Sequence, residues 1–166
     1  MKLIFAHMYN TDKLDWQGKI LAGLIKWWTK SKYFHTEIIF NGYWYTADVY
    51  SGGVIKRRLR PFKNTFDYTY LEVPENKVKD IEIFLDSMLD KNYDLETILI
   101  NKVLHIPYNN KNKVYCTELA LDVLHEIGEL EEIKDNGTID PGRFYNITKE
   151  KYTEVTGTQL NEMRIY

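Results

Sequence analysis

Hydrophobic positions change their spacing several times along the chain, and each change marks an element. Residues 2–8 are mostly apolar and read as a first strand. Thr11 or Asp12 then caps a helix running to about Lys30, with Leu14, Ile20, Leu21, Leu24, Ile25 and Trp28 at helical spacing and Trp16 and Trp27 on its flanks. Core packing is the simplest reading of that Trp-rich helix; the alternatives are a wall of a substrate cleft or a surface that meets lipid. Phe34–Phe40 reads as a strand. Asn41-Gly42 is a two-residue hairpin turn in which both positions need positive φ, and Tyr43–Tyr50 is the returning strand.

Ser51-Gly52-Gly53 breaks the pattern before a strand over Val54–Leu59, and Asp67–Val73 alternates as a half-buried strand does. After Pro74, residues Val78, Ile81, Phe84, Leu85, Met88 and Leu89 keep the spacing of an amphipathic helix. A shorter third helix begins at Tyr93-Asp94 and runs to about Leu104, and Pro107–Lys113 is a loop. A fourth helix starts near Tyr115-Cys116 and ends before Gly128, a residue suited to close it. Asp140-Pro141-Gly142 reads as a turn, and residues 160–165 as a last strand. No repeat or linker interrupts the series, so the expectation is one α+β domain over residues 1–166.

Composition narrows the function. The net charge of −2 gives no reason to expect nucleic acid as a partner, and the one local basic cluster, Lys56-Arg57-Arg58 with Arg60, reads as a solvated strand face. Aromatic residues make up 14% of the chain, which calls for a core or a cleft rich in rings. No secretory leader pattern and no apolar run of membrane-spanning length occurs, so a cytoplasmic setting is expected, with membrane contact left unsupported. One cysteine excludes an internal disulfide, and with His105 and His125 scattered it offers no zinc pattern; neither metal nor cofactor is expected.

A lone cysteine is ordinarily a small buried hydrophobe. Cys116, however, follows a polar loop and opens a helix whose apolar face is Leu119, Ala120, Val123 and Leu124. The positive end of the helix dipole favours thiolate there, and the unpaired backbone N–H groups suit an oxyanion. His35 lies in the strand before the hairpin. If Asn41-Gly42 is a two-residue turn, facing residue numbers sum to 83, so Glu37 faces Thr46 and His35 faces Asp48. Directly opposed residues have Cβ atoms roughly 4.5–5.5 Å apart, which lets Asp48 orient the imidazole. Base plus carboxylate orienter is two-thirds of a Cys-His-Asp triad. Glu37 is a rival for the third place because it shares the face of His35, and His7 in the first strand is a further candidate for the site.

These residues resemble a known family. Phe34-His35-Thr36-Glu37-Ile38, the hairpin ending Thr46-Ala47-Asp48, and Ser51-Gly52-Gly53-Val54 are similar to the His half of NlpC-like hydrolases. Tyr115-Cys116-Thr117-Glu118-Leu119 resembles their aromatic-Cys-Ser-Glu-Leu nucleophile motif, and Tyr93-Asp94 and Asp140-Pro141-Gly142-Arg143 look like family positions. With the His strands before the Cys helix, the order is that of the circularly permuted branch, which includes uncharacterised bacterial and viral proteins and relatives of lecithin:retinol acyltransferase. The resemblance implies a papain-like fold, an antiparallel sheet packed against helices. The third role in many members falls on a His, Glu, Asn or Gln immediately before the Ala; here that place holds Thr46.

The expected activity is cysteine-dependent acyl transfer to water. Cys116 attacks an amide or ester carbonyl, His35 moves the proton, Asp48 orients His35, and backbone N–H groups hold the oxyanion with help from Tyr115 or His7. The substrate is a peptide or a small acyl-containing molecule, in the first instance a cell-wall-type peptide amide. A lipid acyl hydrolase or acyltransferase, and a catalytically inactive binding module, are the alternatives.

Overall fold

The computed structural model describes residues 1–48, 51–89, 91–93, 113–134 and 139–163. They form an α+β structure around one eight-stranded sheet. Chain order is β1 (Lys2–Met8), α1 (Trp16–Thr29), β2 (His35–Phe40), β3 (Tyr43–Asp48), β4 (Gly53–Arg58), β5 (Phe66–Glu72), α2 (Glu75–Ser87), β6 (Asn92–Tyr93), β7 (Lys113–Val114), α3 (Cys116–Glu126), α4 (Pro141–Lys151), β8 (Thr153–Val155) and α5 (Gly157–Glu162). The strands lie in the order β7-β6-β4-β3-β2-β1-β5-β8. All pairs are antiparallel except the short β6–β7 pair.

The β2–β3 hairpin is built as its turn sequence requires. Asn41 has φ 43° and Gly42 φ 77°, the left-handed pair that matches the natural twist of two strands. Phe40 pairs with Tyr43, Ile39 with Trp44 and Ile38 with Tyr45, the register in which facing numbers sum to 83. Alternation then divides the side chains between the two faces of the sheet. Leu3, Phe5, Ile38, Phe40, Tyr45 and Ala47 form the main core with Ile81 and Leu85 of α2 and Leu119, Ala120, Val123 and Leu124 of α3. Each large apolar side chain fully buried there contributes roughly 1.5–3 kcal/mol. Ile4, Ala6, Ile39, Phe62, Tyr68, Val155 and Leu160 form a smaller core on the opposite face.

Several expectations are corrected. The cap of α1 is Asp15, whose side chain accepts from the Gly18 N–H, rather than Thr11 or Asp12. Its core reading also fails: only the small residues Gly18 and Ala22 are buried, while Trp16 and Trp27 are 69% and 79% exposed, and Ile20 and Leu24 are exposed too. Asp140-Pro141-Gly142 is the start of α4 and not a free turn. The Asp140 carboxylate accepts from the N–H groups of Gly142 and Arg143 at 2.8 and 3.0 Å, and Pro141 takes the first helical position. Residues 160–162 of the expected last strand belong instead to the helix α5 (Gly157–Glu162), opened by the reciprocal Thr156–Gln159 capping box, and residues 164–165 lie outside the described residues. Tyr93 belongs to β6, and the third helix expected from Asp94 to Leu104 lies outside the described residues. No helix among the described residues is long and apolar enough to cross a membrane.

Candidate active site

His35 is the first residue of β2 and Cys116 the first of α3, so both sit at element ends rather than inside the layers. The backbone before α3 is extended at Tyr115, whose N–H donates to the Glu118 carboxylate at 3.4 Å and closes the first turn of the helix. Thr117 fixes the same turn from below by donating its hydroxyl to the Ile139 carbonyl at 2.7 Å. Cys116 is therefore held at the helix N-terminus by hydrogen bonds on both sides of it. Its side chain is nearly buried, with 5% exposure.

The His35 imidazole interacts electrostatically with the Cys116 thiol and with Glu37. Its Nε2 lies 2.8 Å from Thr46 Oγ1 and 3.7 Å from Glu37 Oε1. Burial of the ring opposes its positive charge, but the negative charge and hydrogen bond of Cys116, and then those of Glu37, outweigh it and raise the His35 pKa to about 10. The result is an imidazole whose protonated form is favoured by the groups beside it.

Two positions weighed against Asp48 stand beside the imidazole. Thr46 touches Nε2 directly, and Glu37 supplies the charge behind it. The Asp48 backbone stands in β3 opposite Gly53 of β4, and its side chain lies outside the described residues.

His7 is placed elsewhere. In the β1–β2 register it faces Thr36, whereas His35 faces Met8, so alternation sends the two imidazoles to opposite faces of the sheet. His7 is fully buried with Nε2 at 3.0 Å from Thr69 Oγ1 and 3.4 Å from Thr148 Oγ1. The rings of Tyr145, Tyr33 and Phe144 enclose it at centroid distances of 5.1, 5.9 and 6.0 Å. Burial lowers its pKa to about 3 against the weaker opposing charge of Asp67. It is a neutral core histidine, and the support it was expected to lend an oxyanion has no basis in these contacts.

Two cavities flank the Cys116–His35 pair. A crevice of about 40 Å³ opens at the thiol, walled by Ile25, Trp28 and Thr29 of α1, Phe34, Tyr115, and Ile139 to Pro141 ahead of α4. Gly142 makes this wall tight, because a Cβ there would stand 2.3 Å from Ser31 Oγ at the end of α1. A larger cavity of about 200 Å³ lies on the imidazole side, with Glu37 and Thr46 in its lining. Neither cavity was legible from the residues alone, since each draws on segments far apart in sequence. Among the described residues, no group of three or more His, Cys, Asp or Glu side chains is placed to hold a metal ion. No protein-family model matches the chain, and no curated protein matches it either.

Proposed function

We propose that this protein is a cysteine-dependent acyl hydrolase with a permuted papain-like arrangement, in which Cys116 is the nucleophile and His35 its proton carrier. The contact between thiol and imidazole, at the ends of α3 and β2, is the observation that carries the reading. Cys116 thiolate attacks the carbonyl carbon of an amide or ester, and the oxyanion forms against the backbone N–H groups that open α3. The imidazolium of His35 gives its proton to the leaving nitrogen or oxygen, the C–N or C–O bond breaks, and a thioester remains on Cys116. Neutral His35 then takes a proton from water as the water attacks the thioester. The acid departs, and the thiolate–imidazolium pair is restored. Thr46 and Glu37 keep the ring oriented, and Glu37 stabilises its charge.

The lining of the crevice bears on the acyl group. Ile25, Trp28, Phe34, Tyr115, Ile139 and Pro141 present mainly apolar surface beside the thiol, in a crevice of about 40 Å³ that admits only a short apolar group there. A binding module with an idle cysteine would have no need of a charged imidazole against its thiol.

Iodoacetamide labelling near pH 6 tests the pair. The folded wild type should react about tenfold or more faster than a folded His35→Ala variant, because only thiolate reacts at useful rates, and Cys116→Ala should not label at all. Equal rates for the wild type and His35→Ala overturn the proposal.

A further inference from the structure

The cavity on the imidazole side has a composition that the reaction above does not call for. Its lining includes Lys13, Arg57, Arg58, Arg60 and Lys63, with Glu37 the only acid among the lining residues. Among the described residues none of these five cations forms an ion pair, whereas Lys56, their neighbour on β4, is bound to Asp86 at 2.8 Å. Arg57 faces Trp44 across the β3–β4 ladder, so it stands on the sheet face that carries Thr46. The cluster of basic residues that reads as a solvated strand face is therefore gathered around a concave site, in a chain whose net charge is negative. All five are exposed, so water and salt screen their mutual repulsion, and what the concave site offers is converging positive charge that an anion can meet. Trp44 and Phe66 add ring surface to the same wall.

The cavity touches the catalytic pair at one place. Thr46 and Glu37, which hold His35 Nε2, are also part of its lining. The segment from Asn10 to Thr29 borders both cavities, since Asn10 and Lys13 line the basic one and Ile25, Trp28 and Thr29 line the crevice. In acyl transfer the acyl group stays on the thiol while the leaving group takes its proton from the imidazole. The apolar crevice is on the thiol side and the basic cavity on the imidazole side.

We infer that the basic cavity is a binding subsite for a carboxylate- or phosphate-bearing group, the non-acyl end of a substrate whose acyl carbon is held at the thiol. This rests on the acyl-transfer reading for the role of the group, and on the cavity alone for its binding. Arg57 and Arg60 are the donors best suited to a planar or tetrahedral anion, because a guanidinium offers paired N–H groups.

The test separates these two supports. Binding to the Cys116→Ala variant is measured by tryptophan fluorescence for N-acetyl-glutamate against N-acetyl-glutamine amide, and for N-acetyl-phosphoethanolamine against N-acetylethanolamine. Each anionic member should bind about tenfold more tightly than its neutral partner, with the margin shrinking as salt is raised. Arg57→Gln or Arg60→Gln in that background should reduce the margin about fivefold. The two pairs tell a carboxylate site from a phosphate site, and preference for either upholds the proposal. Equal binding of charged and neutral members, or a margin untouched in both arginine variants, overturns it. Hydrolysis by the wild-type chain is scored separately: selective binding without turnover of any of the four compounds refutes the acyl-transfer reading and leaves the anion subsite standing.

Discussion

His7 and His35 stand in neighbouring strands, one residue out of register with each other, and the protein treats them in opposite ways. Both are removed from bulk water. His7 is surrounded by the rings of Tyr33, Phe144 and Tyr145 and by hydroxyls, and burial drives its pKa down to about 3. His35 meets the same penalty, but Cys116 and Glu37 place negative charge against it and bring its pKa up to about 10. Among the described residues His7 Nδ1 has no hydrogen-bond partner, so a proton added there would be stranded in the core. The step of one residue along a strand selects the face, the face selects the neighbours, and the neighbours decide which imidazole carries a proton.

The largest break in this contrast should come from Cys116→Ala. Turnover of an acyl substrate is expected to fall by about 10⁴-fold or more, as it does when a nucleophile is removed. In the same variant the His35 titration, followed by NMR of the ring protons, should move down from about 10, because the leading cause of its elevation is gone while burial remains. An unmoved titration would show that the thiol does not hold the charge on His35.

Glu37→Gln tests the second support of the same imidazolium. A proton-carrying His35 is needed to expel the leaving group, so the alkaline limb of kcat/KM should lie near pH 10 in the wild type and shift to lower pH in the variant, with about tenfold less activity at pH 9. Stability follows the same sign. A histidine whose folded-state pKa is raised from 6.5 to about 10 stabilises the fold fully below pH 6.5, and that contribution is lost as pH rises through 10. Denaturant titrations at pH 6 and pH 10 should therefore differ less in Glu37→Gln than in the wild type.

His7 makes the opposite prediction. Its folded-state pKa lies near 3, below the ordinary value of 6.5, so the unfolded chain binds a proton over that interval and the folded chain does not. Stability is untouched above pH 6.5 and declines as pH falls from 6.5 toward 3. His7→Gln should lower stability at pH 7 through lost packing, yet reduce the further loss between pH 7 and pH 4. A wild-type His7 resonance that titrates near pH 6 would remove the contrast with His35.

How much of this was legible before the structure depends on the range of the forces involved. The Asn41-Gly42 turn is a local signal, and it carried the β2–β3 register from Phe40–Tyr43 to Ile38–Tyr45 and the place of His35 in the strand before it. Cys116 at a helix start was legible for the same reason. The signs of α4 and α5 were present as well, in Asp140-Pro141 and in Thr156 with Gln159, but they were outweighed by the turn character of one stretch and the apolar residues of the other. What the residues could not show was which face of α1 meets the body. Gly18 and Ala22 take that role, because small side chains let the helix lie close, while Trp16, Ile20, Leu24 and Trp27 are left outward. Nor could pairing in register say that Thr46, two positions from the expected Asp48, would reach Nε2, since that depends on the tilt of the imidazole at the open end of the hairpin.

Thr46→Val makes the smallest change and gives the finest resolution. Valine keeps the shape and burial of the threonine and removes only the hydroxyl at 2.8 Å from Nε2. A hydrogen bond from a charged imidazolium is worth about 1.5 kcal/mol at the low end, so activity should fall roughly tenfold while the fold persists. The direction of the accompanying pH change says more than its size. Thr46 carries no charge and is not among the groups that raise the His35 pKa, so the alkaline limb should stay close to its wild-type position as kcat drops. A displaced limb with unchanged kcat would assign the hydroxyl to charge stabilisation. The expected result makes it a positioning group, with Glu37 alone on that side of the ring holding the proton in place.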